Sequence, residues 1–357
     1  MGMFDLASKF HSHYIRLSPN DHIGYNNYAT ALREEGKFDE ALEMLQGILP
    51  QFPKSEELWN TLGSIVSFKE GSENSIIFFE ESLKINPKNH QTLNNIAPAY
   101  YSVGDTINAE KAARDAIKYF PQSKDAHLFL SNLLIAQKEF KEGWEEYQWR
   151  HDQKIKTTIK LNKIPYWQGE PLKGKKIFIF GEQGVGDEIL FSWHFNKTIE
   201  EADAVGLACE HRLVPLFKSS FPKAKIAKFE TKQHLKLDTI FRAFPDFDLK
   251  EYDYQCTACD LTRQYWKSYE DVKSVTPNIN PNPDLVSKWR NEIDKLPHDI
   301  SIGIAWRSGI QLANRARNYA SILDWLPFLK QKNINFVNVQ YGDCSAELEE
   351  IEKKNES

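Results

Sequence analysis

Four prolines, Pro19, Pro53, Pro87 and Pro121, recur at a constant interval of 34 residues. Proline makes up about one residue in twenty of an average protein, so three further hits in register arise by chance on the order of once in ten thousand. A fixed interval of this length restricts the fold to stacked copies of one small unit, because each copy buries its apolar face only against the next. Other columns keep the register. Tyr25, Trp59 and Leu93 fill one large apolar position, and Tyr28, Leu62 and Ile96 the next. Ala29, Gly63 and Ala97 are small where two helices must approach; Ala41, Ser75 and Ala109 repeat that role in a second helix. Gly36 and Gly104 mark the turn between the two helices. Proline closes the unit, since it lacks the N–H and crowds the preceding turn.

This helix–turn–helix unit resembles the tetratricopeptide repeat over residues 22–55, 56–89 and 90–123, with a worn fourth copy at about 124–150 and a half-repeat ahead of Pro19. Residues 1–150 are therefore expected to form an α-solenoid. Equivalent positions stack into rows along such an array. Asn26, Asn60 and Asn94 make one row, with Asn27 and Asn95 beside it. A side-chain amide offers a donor and an acceptor, so the row is suited to pairing with the backbone of an extended peptide. Solenoids of protein O-linked N-acetylglucosamine transferases carry a similar asparagine ladder. Here Thr61 and Phe129 interrupt it, and a merely solvated polar helix face remains the alternative.

After Arg150 the pattern changes. Residues 151–175 are polar and broken by Pro165, Gly169, Pro171 and Gly174, which reads as a linker. Lys176 to Phe180 then forms an apolar run fit for a buried parallel strand. It enters Gly181-Glu182-Gln183-Gly184-Val185-Gly186-Asp187 and a helical pattern. Further strand-like runs at Ala204–Cys209 and Lys225–Phe229, with a helix near 211–220 between them, imply a parallel sheet. The glycine loop lacks the Gly-Lys-Ser/Thr ending of a phosphate-binding loop and the third glycine of a dinucleotide fingerprint. Asp187 and Glu188 suit the positive helix end but would repel a phosphate there.

A first strand followed by a Gly-Asp turn resembles the ADP-heptose–lipopolysaccharide heptosyltransferase family. The stretches Gly143–Arg150, Trp289-Arg290, Ile302–Gly309 and Asn338–Asp343 are similar to the bacterial group that joins tetratricopeptide repeats to this kind of domain. The resemblance implies a Rossmann-like acceptor-side domain over 176–285 and a partial, donor-side Rossmann-like domain over 286–357, of the glycosyltransferase B type. It implies that Asp187 takes a proton from an acceptor hydroxyl, with Glu182, Gln183, Gly184 and Gly186 forming the acceptor-side loop. Inverting transfer needs one such base and positive charge for the departing nucleoside diphosphate. Arg307, Ser308, Arg315, Arg317 and Gln340 are the candidates for that second task, because guanidinium groups match diphosphate geometry. The co-substrate is then a nucleotide-sugar, the acceptor a protein or glycan hydroxyl, and no metal is expected. The residues after Ile300 are fewer than a doubly wound domain of about 100–150 residues needs, so this second domain is expected to be incomplete. The rival expectation is a non-catalytic adaptor whose repeats bind a protein and whose α/β part is a degenerate remnant.

A net charge of −5 argues against a general nucleic-acid binder. No stretch is apolar enough to span a membrane, and Met1–Leu6 shows no signal-peptide pattern. Four cysteines suggest no disulfide framework and fit a reducing, cytoplasmic setting. Cys256-Thr257-Ala258-Cys259 lacks a second pair for zinc and reads as lying away from the helix start that redox chemistry favours.

Overall fold

The computed structural model describes residues 2–151, 155–157, 164–182, 184–234, 239–273, 279–307 and 319–355. The chain divides into two compact units, Met1–Asn278 and Ile279–Ser357.

The first unit opens with α1 (Gly2–Leu17), followed by helix pairs joined through tight turns: α2 (His22–Glu34) with α3 (Phe38–Ile48), α4 (Glu56–Glu70) with α5 (Ser72–Ile85), α6 (His90–Ser102) with α7 (Thr106–Tyr119), and α8 (Lys124–Ala136) with the shorter α9 (Phe140–Glu146). The array resembles a tetratricopeptide solenoid, and its pairs fall inside the repeat boundaries read from the prolines. Two residues after each periodic proline stands a cap for the following helix. Asp21 accepts from Ile23 N at 2.9 Å, Ser55 from Leu58 N at 3.4 Å, Asn89 from Thr92 N at 2.9 Å and Ser123 from Ala126 N at 3.4 Å. Proline stops one pair and the capped residue starts the next. At the turn inside the repeat, Gly36 and Gly104 have φ of 78° and 84°, a left-handed conformation that side chains resist. Lys138 fills the same column of the fourth repeat with φ of 70°.

The small columns let the pairs close. Ala29, Ala41, Ser75 and Ala109 are all 0% exposed. A Cβ on Gly63 would meet the Phe79 ring at 2.7 Å, so only glycine lets α4 lie this close to α5. One apolar cluster joins Leu32, Leu45, Leu58 and Ile65, and a second joins Phe79, Ile96, Ala113 and Leu130.

The same unit continues into a parallel sheet. β2 (Lys176–Phe180), β3 (Ala204–Cys209), β4 (Lys225–Lys228) and β7 (Tyr254–Thr257) lie in the order β4-β3-β2-β7, every neighbour parallel. The helices α10 (Val185–Phe191), α11 (Phe195–Glu201), α12 (Val214–Ser220) and α13 (Ala258–Tyr265) connect or follow these strands. β2 and β3 are apolar runs because both faces are covered; Phe178 packs on Phe244, Phe247 and Tyr252 with ring centroids 5.0, 4.8 and 5.4 Å away. The chain steps outward from β2 to β4, then returns to the far side of β2 as β7. Loops leaving the carboxyl ends of β2 and β7 therefore diverge and open a crevice.

Residues 151–175, expected as a linker, are partly built into sheets. Ile155–Thr157 forms β1, which pairs in parallel with β6 (Thr239–Ala243), itself antiparallel to β5 (Glu230–His234). Pro165–Trp167 runs beside β7, with Trp167 N donating to Gln255 O at 2.9 Å and Gln255 N to Pro165 O at 3.0 Å. These segments are short and pair with partners distant in sequence, which local periodicity does not reveal.

In the second unit, α14 (Pro283–Ile293) precedes β8 (Ile300–Ile304), which pairs in parallel with β9 (Ile334–Asn338), and a helix at Ser345–Asn355 follows. Ile304, Trp306, Ile322 and Cys344 form its core with Phe336, Leu348 and Ile351.

Candidate functional site

The crevice between β2 and β7 is filled by a knot of polar side chains from three places in the chain. Glu182 follows β2. Thr257 ends β7 and caps α13, accepting from Asp260 N at 3.3 Å. Arg150 arrives from the single 3₁₀ turn, Tyr147–Arg150, that ends the solenoid. Its Nε and Nη2 donate to Glu182 Oε1 at 2.9 and 2.6 Å, and Nη2 also reaches Asp260 Oδ1 at 2.8 Å and Thr257 Oγ1 at 3.0 Å. Gln148 Nε2 donates to Asp260 Oδ1 at 3.0 Å, Thr257 Oγ1 donates to Asp260 Oδ2 at 2.8 Å, and Tyr166 OH donates to the same Oδ2. His151 sits 3.6 Å from both carboxylates.

The Arg150, Glu182 and Asp260 side chains are only 6%, 13% and 1% exposed. Buried charges of this kind persist only when paired and hydrogen-bonded. Burial opposes the Arg150 charge, but Asp260 and Glu182 outweigh it and hold the guanidinium more firmly protonated than usual. Burial alone would raise the Asp260 carboxyl; His151, Arg150 and Tyr166 instead keep it well below the carboxylate range. Burial, then Asp260, pushes the Tyr166 hydroxyl well above its ordinary value.

Below the loop lies a second arrangement. Glu188 is 3% exposed, and its Oε2 accepts from Glu210 N at 2.9 Å. Its Oε1 has no hydrogen-bond partner among the described residues. Burial raises this carboxyl to about 7. A Cβ on Gly181 would sit 2.2 Å from it, so glycine is the residue that admits the acid. Arg242, 7% exposed, donates to Gly181 O and, at 2.9 Å, to Glu182 O, which fixes the carbonyls of the loop.

The expected site residues distribute unevenly. Asp187 is half-buried and accepts from Gly184 N at 3.0 Å, closing the first turn of α10. Glu182 points into the knot, Gly184 and Gly186 are exposed, and Gln183 lies outside the described residues. In the second unit Arg307 is already paired: Nε lies 2.9 Å from both Glu347 oxygens, Nη2 donates to Glu347 Oε2 at 2.6 Å and to Asp343 O at 2.7 Å. Gln340 accepts from Trp306 N and Arg307 N at 3.0 Å each and donates to Arg307 O at 3.0 Å, so it clips two loops together. Ser308, Arg315 and Arg317 lie outside the described residues.

The asparagine rows are joined from repeat to repeat. Thr61 Oγ1 donates to Asn26 Oδ1 at 2.6 Å, and Asn95 Nδ2 donates to Asn60 Oδ1 at 2.9 Å. Thr61 thus keeps the link that its column implies. Asn94, whose next-repeat counterpart would be Phe129, donates instead to Ser123 Oγ at 3.2 Å. Asn27 is exposed and makes none of these bonds.

One reading needs correction. Cys256 is the last residue but one of β7 and Cys259 lies in the first turn of α13, so the CxxC does stand at a helix start. Burial raises both thiols well above their ordinary values, which leaves them inert as nucleophiles. Sequence reading assigned no site role to Arg150, Tyr166, Thr257, Asp260, Glu188 and Arg242, although it placed Glu188 at the helix start. The usable signal was Asp260 itself, an acid following the buried strand and flanked by Cys259 and Leu261. Among the described residues no cluster of His, Cys, Asp or Glu is arranged to hold a metal, and no helix is long and apolar enough to cross a membrane.

No protein-family model matches the chain. It is 33% identical over 358 residues to Protein FlbA of Caulobacter vibrioides, a match covering 98% of this chain and 59% of FlbA, so the chain spans about 59% of that relative's length. Solved structures match smaller parts. TTC0263, a thermophilic TPR protein of Thermus thermophilus, is 16% identical over 41% of this chain and 81% of its own, with a TM-score of 0.37. MamA of Desulfovibrio magneticus is 16% identical over 41% and 83%, with a TM-score of 0.36. YrrB, described as a TPR protein with an unusual peptide-binding site, is 16% identical over 40% and 74%, with a TM-score of 0.36.

Proposed function

We propose that the chain is a protein-binding adaptor whose repeats hold an extended segment of a partner polypeptide. The observation that carries this reading is the polar row along α2, α4 and α6. After the bonds between repeats are made, Asn26 Nδ2, Asn60 Nδ2, Asn95 Oδ1 and the whole Asn27 amide have no partner among the described residues. Donors and acceptors at the spacing of successive repeats suit a peptide backbone whatever its side chains. Four free, buried cysteines accord with residence in the reducing cytoplasm. Fluorescence anisotropy with a pool of unstructured labelled peptides tests the reading. Replacing Asn27 and Asn95 by alanine should weaken binding by about 1 kcal/mol each. Equal binding by the double variant would remove the row from the function.

The strand order of the sheet favours a second reading, transfer of a sugar from a nucleotide-sugar to a hydroxyl. The loop after β2 lies where the order reverses, the usual place for a ligand in open parallel sheets, and it carries Asp187 as the candidate base. Arg307 would need to exchange Glu347 for a diphosphate. Calorimetry with nucleoside diphosphates decides: binding, with turnover lost in Asp187→Asn and binding retained, supports transfer. No heat with any of them leaves the adaptor alone.

A further inference from the structure

α6 carries Pro98 inside its length. Proline has no N–H, so the Asn94 carbonyl lacks the donor that a helix supplies four residues on. Helical spacing sets Asn94, Asn95, Pro98 and Tyr101 on the face that bears the asparagine rows. Asn95 commits its Nδ2 to Asn60 and keeps Oδ1 unpaired among the described residues. Tyr101 is 45% exposed and meets Phe129 of α8 edge-on, with ring centroids 6.1 Å apart. At the other end of the stretch, Asn94 Nδ2 donates to Ser123 Oγ. The run of α6 from Asn94 to Tyr101 therefore lies alongside the chain from Ser123 to Phe129. That run includes Asp125, an exposed carboxylate with no ion pair or hydrogen bond among the described residues.

We infer that this patch holds an arginine side chain of the bound polypeptide. The inference rests on the adaptor reading and supplies what the asparagine rows leave open, the side chain that is chosen. Backbone carbonyl, amide oxygen, carboxylate and aromatic ring are all acceptors. α6 has no lysine or arginine to meet them, and α8 has only Lys124, whose column lies off this face. Charge agrees, since residues 22–150 carry 19 acidic and 13 basic side chains. A guanidinium presents five donors in one plane and also lies over aromatic rings, so it answers the oxygens and Tyr101 together. The lysine ammonium is a compact, strongly hydrated charge and fits less well. The protein makes the same pairing itself on this face, where the Arg33 guanidinium lies 5.9 Å from the Phe68 ring centroid. Tyr101 stands in the column of Arg33, two periods on, so the third repeat has a ring where the first has the cation.

Fluorescence anisotropy on the full chain tests it, with labelled peptides of one length that carry arginine, lysine, glutamine or glutamate at alternate positions. The arginine peptide should bind about tenfold tighter than the glutamine peptide and also tighter than the lysine peptide. The advantage should shrink as salt is added. Tyr101→Ala and Asp125→Asn should each weaken arginine-peptide binding several-fold. Pro98→Ala, which returns an N–H to the Asn94 carbonyl, should weaken it too, with no loss of helical circular dichroism. A glutamine peptide that binds as tightly as the arginine peptide overturns the inference and leaves the asparagine rows standing. So does an arginine preference that survives Tyr101→Ala combined with Asp125→Asn. Failure of every peptide to bind overturns the inference and the adaptor reading together.

Discussion

Asp187 and Glu188 are adjacent acids in the first turn of one helix, yet the fold gives them opposite surroundings. Asp187 faces solvent enough to cap Gly184, while Glu188 turns inward and is raised to about 7. Near neutrality the folded chain therefore holds a proton that the unfolded chain, with an ordinary glutamate value of about 4.3, has lost. Stability falls as pH rises from about 4 through about 7 and levels off above. Glu188→Gln should flatten that slope and add on the order of 3 kcal/mol at pH 8, read by urea denaturation at pH 5 and pH 8; an unchanged slope would assign it elsewhere. Asp260 acts in the other direction. Its lowered carboxyl contributes stability above about pH 4 that is lost as the solution becomes more acid. Gly181→Ala, which drives a methyl into the Glu188 carboxyl, should cost about 1–3 kcal/mol, and less when Glu188 is alanine. In the sequence both acids looked like helix-start carboxylates. Only the packing of Gly181 and Glu210 around Glu188 separates them, and neither contact follows from local pattern.

The repeat is where the sequence was most legible. Proline, small residue and large apolar residue each answer a steric demand that recurs every 34 residues, so their columns located every helix pair. The caps Asp21, Ser55, Asn89 and Ser123 hold the same period and went unread because three residue types share the duty. Alanine at Asn89 or Ser123 should cost about 1 kcal/mol each by thermal denaturation. Gly63→Ala should cost about 1–3 kcal/mol, because the Phe79 ring is fully packed where the methyl must go; a neutral result would show that α4 and α5 can part without penalty. β1, β5 and β6 were not legible. Their residues are largely polar, and β1 pairs with a strand far along the chain, Ile155 opposite Ile240.

Across the first compact unit, one arginine ties the helical array to the sheet. Arg150→Met leaves Asp260 and Glu182 facing each other without their cation, and should destabilise the unit by about 3–5 kcal/mol. A second change, Asp260→Asn, should recover part of that loss, which chemical denaturation of the single and double variants measures; no recovery would mean that Arg150 acts through packing alone. Trp144 reinforces the joint, with its ring 6.4 Å from Phe191 and 6.3 Å from Trp266. Such a mounting differs from a flexible tether. Cargo seized by the repeats would hang from a braced arm, and any tug on it would be delivered to the rim of the sheet at Glu182, within the loop that leads to Asp187.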